Sequence, residues 1–532
     1  MGRVALLLLL AVISVGVYVA LPQAPRVLPP SPAGFKPPVR GVVHVHTRRS
    51  DGTGTVNDVA AAASRAGLAF VVITDHGDAT RAPDLPIYRE GVLCIDAVEI
   101  STDGGHVVAL GLPRSPYPLG GEPRDVVEDI ARMGGMSVVA HPGSEKTELR
   151  WFEWSAPFDG LEWLNGDSEW RDESNWTLAR VLLAYPFRPA GSLALMLDRP
   201  AQLMHRWDVL TRRRRVVAIA GSDAHARIGL RSLGEPYDST TSLRAPGYGS
   251  SFRTFSIALP QAALTGDPES DARTVLDEIR NGHVYSVIDA VAGPAVFAFT
   301  AESGLQRATG GDALTIDGPV ALRVDVQAPA DAAISLLRDG KEAVTTSVPT
   351  LRYVAEPKPA VFRVEVLLPG APGTPPVPWI VSNPIYVGRP RREPEPPPAH
   401  GPAKSFALLY GDGPAPSWRI EHSDHSQGAI DVVPAVAGTQ LLFRYALSGA
   451  ASTSPFAALA TSAGSIAGFD RLTFSGHSDH PVRLSVQLRT DGDRGAHRWH
   501  RSVYLDPTPR AVTIFFDDMR PRGTTLRPGV PL

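Results

Sequence analysis

The chain has 532 residues, which at roughly 100–200 residues per domain suggests about three domains. A formal charge of −3 at pH 7 argues against a general nucleic-acid binder, and the only basic run, Arg212–Arg215, reads as a helix cap or a solvated face. Cys94 is the only cysteine, so an intramolecular disulfide and a cysteine-based zinc site are both excluded.

At the N-terminus Arg3 precedes Val4–Leu21, an uncharged run that is apolar except for Ser14 and Tyr18. At about 18 residues it is borderline for a membrane-spanning helix and long for the apolar part of a signal peptide. No clear cleavage site follows. The expectation is an uncleaved signal anchor over 1–21, with a cleaved signal peptide as the alternative and a buried core helix third. A Pro-rich tether over 22–38 comes next. Either of the first two readings makes the protein extracytoplasmic, anchored to the membrane or secreted.

Gly41–Val45 is a short β-branched run that predicts a buried strand, ending in His44-Val45-His46 with Asp51 in the turn beyond. Residues two apart on a strand face the same side, so His44 and His46 can reach one ion together. Thr55 and Asp58 form a capping box before a helix with Val56, Val59, Ala60 and Ala63 on its apolar face. Phe70–Thr74 predicts a strand ending in Asp75-His76, and Val92–Glu99 and His106–Leu110 predict two more. Pro123 opens a helix closed by Gly134-Gly135. Strand Met136–Ala140 stops at His141, Gly160–Leu164 runs to Asn165, two helical stretches fill roughly 173–210, and Val216–Ala220 leads into Asp223 and His225. The alternation over 39–291 predicts an α/β domain of barrel type, with polar residues just past its strands, where such barrels hold their active sites.

After Gly293 the pattern turns to short β runs, Val320–Val326, Ile334–Leu337, Phe362–Leu368 and Ile385–Val387, which predict a β-sandwich over 292–388. A second Pro-rich linker, 389–404, leads to a last β-rich domain over 405–532, with strands at Arg471–Phe474, Val482–Leu488 and Val512–Phe516. His-Ser-Asp-His occurs at 422–425 and again at 477–480; with no further ligand cluster nearby, it reads as loop composition.

The strand ends of the first domain supply His44, His46, Asp51, His76, Glu99, His106, His141, Asp223 and His225. A single histidine at a strand end is usually structural, but nine such groups buried together without metal would carry uncompensated desolvation. Imidazole with carboxylate suits divalent zinc, manganese or iron. Asp75 reads as a carboxylate orienting His76 or a neighbouring ligand, or as an ordinary turn residue. Arg81 and Arg227 read as solvated surface arginines or as clamps for a phosphate, and Glu162 and Asn165 as plain packing or as pocket lining. No Ser or Cys triad is apparent.

These residues resemble the motifs of the polymerase and histidinol phosphatase (PHP) family: HVH with Asp51 downstream, TDH at 74–76, Glu99, His141 in AHPG and SDAH at 222–225, with LDEIRNGHVYSV at 276–287 like the tail of the family's catalytic domain. The resemblance covers about 40–290. It implies a distorted seven-stranded β/α barrel with a trinuclear centre: His44, His46, Glu99 and Asp223 on a first metal, Glu99 bridging to a second held by His106 and His141, and Asp51, His76 and His225 on a third. It implies a hydrolase whose nucleophile is a metal-bridging hydroxide, with Asp51, Glu99 and Asp223 closest to the chemistry, acting on a small-molecule phosphate ester. The alternative is a carbamate, carboxyl ester or amide hydrolase on the same site. A rival of another class is a non-catalytic carbohydrate- or surface-binding protein. PWIVSNPIYV resembles a segment appended to extracytoplasmic members of the family, and the last domain resembles galactose-binding-type jelly rolls, which would imply either a stabilising β-sandwich or carbohydrate or cell-wall contact.

Overall fold

The structure, a computed structural model, describes residues 15–31, 36–171, 173–229, 242–243, 245–293, 295–347, 349–388, 400–403, 405–448, 455–490 and 497–522. The chain divides into two units, Met1–Pro396 and Pro397–Leu532.

The first unit is α/β. Its strands begin with β1 (Val39–Val43), β2 (Phe70–Ile73), β3 (Ile87–Arg89) and β4 (Val92–Asp96), with helix α1 (Val56–Arg65) between β1 and β2. Thr55 and Asp58 do form the capping box of α1, and Val59, Ala60, Ala62 and Ala63 are buried. Strands β5 (Val98–Thr102), β6 (Gly105–Leu110), β7 (Met136–Ala140), β8 (Gly160–Asn165) and β9 (Val217–Gly221) form a five-stranded sheet in that order. Helix α2 (Pro123–Arg132) lies between β6 and β7. Between β8 and β9 are α3 (Asn175–Ala184), α4 (Pro189–Ala194) and α5 (Ala201–Thr211), three helices where the sequence suggested two stretches. Pro189 and Pro200 stand at the breaks, and a proline cannot continue a helix from the preceding turn.

The run Val92–Glu99, expected as one strand, is two. Residues up to Asp96 pair in parallel with β2, and Ala97 N still donates to Ile73 O. Beyond it the chain leaves that sheet, and Val98–Thr102 pairs antiparallel with β6. The turn carries Glu99 to a single bridge with His76, while Val45 bridges Ala224 past the end of β9. The two sheets thus meet at both places where the predicted ligands lie.

The short pair β10 (Ile228–Gly229) and β11 (Ser242–Leu243) is followed by α6 (Tyr248–Ser251), β12 (Ser256–Leu259), α7 (Pro268–Arg280) and β13 (Tyr285–Val287). β12 and β13 extend the β1 sheet. Then come β14 (Phe297–Ser303), β15 (Gln306–Thr309), β16 (Ala313–Leu314), β17 (Val320–Val326), β18 (Ala333–Arg338), β19 (Lys341–Thr346), β20 (Thr350–Ala355), β21 (Ala360–Leu367), β22 (Ile380–Ser382) and β23 (Ile385–Val387). β15, β14, β17 and β20 make their own sheet, but β22 pairs with β13, so the other layer runs on into the sheet of β1. Buried Asn383 reinforces this seam: its side chain accepts from Ala218 N and donates to Ala218 O and Val284 O. Buried Arg363 pairs with Asp208 of α5 and with Glu365, which also takes Arg199.

The membrane-anchor expectation is corrected. Among the described residues no helix is long and apolar enough to cross a membrane. The described part of the apolar run is a short helical stretch at 15–20, and residues 1–14 lie outside the described residues. The following Pro-rich segment, of which 32–35 also lie outside them, is held along the unit. Ala20 O accepts from Arg180, Pro22 O from Arg188 and Pro29 O from Gln327, and Arg26 pairs with Asp331.

The second unit consists of antiparallel pairs, among them Gln427–Pro434 with Thr439–Ala446, Arg471–Gly476 with Arg510–Phe515, and Val482–Arg489 with Arg498–Leu505. Its small core contains Trp499, Ile514 and Met519. Most of the linker, 389–399 and 404, lies outside the described residues. Among the described residues no cluster of metal-ligating side chains forms around the two His-Ser-Asp-His stretches.

Candidate metal centre

All nine predicted residues meet at one place. Glu99, 1% exposed, is at the middle. Its Oε2 lies 3.1 Å from His44 Nε2, 3.2 Å from His46 Nε2 and 3.3 Å from His76 Nδ1. Its Oε1 lies 2.8 Å from His106 Nδ1 and 2.9 Å from His141 Nε2. Asp223 Oδ1 is 3.3 Å from both His44 Nε2 and His46 Nε2. Asp51 reaches His225 Nε2 at 3.1 Å, His46 Nδ1 at 3.5 Å and His76 Nε2 at 3.8 Å.

Side chains able to share an ion fall into four overlapping sets: His46, Asp51, His76 and His225; His44, Glu99 and His141; His44, His46 and Asp223; His76, Glu99 and His106.

The backbone reaches this arrangement by a route that strand alternation does not describe. β1 ends at Val43, and His44 takes φ +68°, in the left-handed region. His141 and Asp223 do the same, at +31° and +46°. Residues other than glycine are uncommon there and tend to cluster at functional sites. The surrounding ladder holds the distortion: Ser222 N donates to Val43 O, His46 N to Ala224 O and Thr74 N to Val45 O.

The hydrogen bonds fix which nitrogens carry protons. His141 Nδ1 faces Leu149 O at 3.1 Å and His225 Nδ1 faces Asp223 O at 2.9 Å. A carbonyl only accepts, so each Nδ1 is the donor. His44 Nδ1 likewise donates to Glu162 Oε1 at 2.6 Å. In all three rings the other nitrogen then points at carboxylate oxygen. His46 Nε2 is buried without a hydrogen-bond partner, although two carboxylate oxygens lie close to it. Lone pairs facing anions require a cation between them or a second proton on the ring, and one nitrogen donating outward while the other ligates is how protein histidines hold metals.

Without metal, protons take that place. Burial by itself lowers the pKa of His46, but Asp223 and Glu99 outweigh it and raise the ring to about 10. His44, His141 and His225 are raised against burial in the same way. Glu99 is held well below the carboxylate range, because the rings of His76, His44 and His106 overcome its burial. His76 goes the other way, down to about 4, through burial and the like charges of His46 and His106. The donor set and its electrostatics fit divalent cations.

The other predicted residues divide. Glu162 is 1% exposed and fully engaged: Oε1 takes His44, and Oε2 accepts from His141 N at 2.9 Å and Asn165 Nδ2 at 2.7 Å. Asn165 also accepts from Asp167 N and Ser168 N. Both therefore brace the cluster from behind. Arg227 Nη2 stands 3.5 Å from Asp51 Oδ2, whereas Arg81 is half-exposed and tied to Asp96 and Asp84. Asp75 accepts from Thr47 N, Thr47 Oγ1 and Ser50 Oγ, shaping the loop that carries Asp51.

Tyr248, which the sequence did not single out, donates to His46 O and accepts from Gly54 N, closing both ends of that loop. Nothing in its local sequence marks a contact made some 200 positions away.

No family profile matches the chain, and no curated protein matches it. Solved structures do. A two-domain protein from Bacteroides vulgatus containing a predicted PHP-like metal-dependent phosphoesterase aligns at 14% identity and TM-score 0.27, over 64% of this chain and 94% of that one. A protein from Bifidobacterium adolescentis, named as a metal-dependent phosphoesterase, aligns at 16% identity and TM-score 0.23, over 38% and 94%. An amidohydrolase from Chromobacterium violaceum aligns at 17% identity and TM-score 0.21, over 35% and 87%. These likenesses are low, and the resemblance to the PHP family rests on the motif residues and on their meeting at a single site.

Proposed function

We propose that the chain is a metal-dependent hydrolase of PHP type, and first of all a phosphoesterase. The observation that carries this reading is the orientation of His44, His141 and His225, each with one ring nitrogen donating outward and the other turned on a carboxylate. We further read β1, β2 and β5–β9, joined through the Val45–Ala224 and His76–Glu99 bridges, as a distorted seven-stranded barrel, and the four ligand sets as room for three ions.

His44, His46, Glu99 and Asp223 would hold one ion, Glu99 with His106 and His141 a second, and Asp51, His76 and His225 a third. Bound ions supply Lewis acidity and lower the pKa of water to near neutrality. The chain's own contribution is geometric. Glu99 presents one oxygen to each of two neighbouring sets, Glu162 fixes the ring of His44, and Arg227, beside Asp51, offers a positive charge for a phosphoryl oxygen. The apolar wall beside Asp223 and His225 favours a second reading, carbamate, ester or amide hydrolysis at the same centre.

The test is turnover by chain stripped of metal and reloaded with zinc, manganese or iron, against phosphomonoesters, phosphodiesters, aryl carbamates and carboxyl esters. Metal-dependent release of phosphate is expected. Cleavage of carbamates or esters alone moves the assignment to the second reading, and no turnover with any metal overturns both.

A further inference from the structure

We propose that the cleft beside Asp223 and His225 receives the organic group of the substrate, and that it selects a compact apolar group such as an aryl ring. This rests on the hydrolase reading and deepens it.

The cleft is open to solvent and combines apolar and polar lining, as small-molecule sites usually do. Among the described residues, Asp223, His225 and Arg227 line its metal end. Its apolar wall is Trp170, Leu193, Met196, Leu197 and Phe255. That wall is preformed: Leu193 and Met196 pack with Trp170, while Leu197 and Phe255 belong to the main core of the unit. Gly166, also in the lining, lets its segment lie close to Ser222, since a Cβ there would meet Ser222 O at 2.4 Å.

Two features set the chemistry. Ser222 lines the cleft and is 4% exposed, and its hydroxyl has no hydrogen-bond partner. A buried hydroxyl is rarely left so unless something binds it. It adjoins Asp223 in sequence, where an ester or phosphoryl oxygen of a substrate on the metals would come. Asp167 and Glu169 also line the cleft, which disfavours an anionic organic group. Asp167 is already engaged by Trp170 and Arg171, so it does not act as a subsite for a cation. An uncharged apolar group satisfies the lining.

The experiment is calorimetric titration of full-length, manganese-loaded protein with phenylphosphonate and methylphosphonate, which are not hydrolysed, alongside kcat/KM for phenyl phosphate and methyl phosphate. The parent should prefer the phenyl compound by more than about tenfold in both measurements, the discrimination an apolar pocket gives between groups of different size. Met196→Trp fills the cleft and should bring the ratio below about threefold. Trp170→Ala removes part of the wall, should lower the ratio likewise, and carries the test if the tryptophan variant does not fold. A parent with no phenyl preference, or folded variants that keep it, overturns the proposal. A phenylphosphonate preference lost in the variants, with no turnover of any ester, leaves the subsite standing and sinks the hydrolase reading instead.

Discussion

His44 and Glu162 are joined by a 2.6 Å hydrogen bond from ring Nδ1 to Oε1, with both side chains essentially excluded from solvent. Because Oε2 of the same carboxylate accepts from His141 N, one group aims two candidate ligands lying just past the ends of different strands. Gly221 leaves room for it: a Cβ there would fall 1.8 Å from Glu162 Oε1.

Glu162→Gln keeps the size but offers one acceptor where three donors converge, from His44, His141 and Asn165. Metal affinity should fall by about 10–100-fold, the usual cost of losing such an orienting partner. Competitive titration with a chelating dye measures it. Unchanged affinity would mean that Glu162 only fills space.

Asp51→Ala removes the carboxylate shared by His225, His76 and His46. Elemental analysis should show about one ion fewer per chain than the parent, and activity should fall by more than about a hundredfold, the scale of losing one preorganised charge stabiliser. Glu99→Ala should cost more metal, because its two oxygens serve different ligand sets. Equal metal content and activity in Asp51→Ala and parent would limit the site to two ions.

The metal-free protein should show a stability maximum on the acid side of neutrality. A histidine raised to about 10, such as His46, contributes its stability fully below the unfolded value of about 6.5 and loses it as pH rises toward 10. Glu99, Asp223 and Asp51 are lowered, so their contribution is present above about pH 4 and lost on acidification. Melting in excess chelator should therefore peak between about pH 5 and 6.5. Ions displace protons from the same nitrogens, so the rise in Tm on adding metal should widen from about pH 6.5 upward. A metal-induced rise that shrinks over that window would contradict the cluster's electrostatics.

A chain ending at residue 388 should keep turnover of a soluble substrate within about tenfold, or about 1.4 kcal/mol in the barrier, since among the described residues every candidate ligand lies in the first unit. Ending it at residue 291 should abolish the fold. That cut strips β22 from β13 and takes Asn383 away from β9, the strand leading to Asp223. A soluble, metal-binding protein ending at 291 would show that this seam is dispensable.

The candidate ligands were legible in the sequence because their chemistry is local: His44-Val45-His46 and Ser222-Asp223-Ala224-His225 offer donor side chains wherever the strands lie. Most strands of the first unit were legible for a similar reason, as β-branched runs such as Phe70–Ile73 are buried on both faces. What escaped was long-range. The break at Ala97 depends on which sheet each half joins, and no propensity distinguishes the halves. Glu162 was visible at a strand end, but its partners His44 and His141 come from other strands, so bracing could not be told from lining. The union of β22 with β13 is a matter of pairing between segments about one hundred residues apart, whereas composition alone suggested separate domains.

The left-handed backbone at His44, His141 and Asp223 has a consequence for directed evolution. At these three positions glycine is the residue that would relax the main chain, and it is also a residue that offers no donor to an ion. A screen for heat resistance that does not score activity would therefore reward substitutions that dismantle the centre, because proteins gain stability readily where function has imposed strain. Libraries built to stabilise this chain should hold those three codons fixed and seek their gains elsewhere.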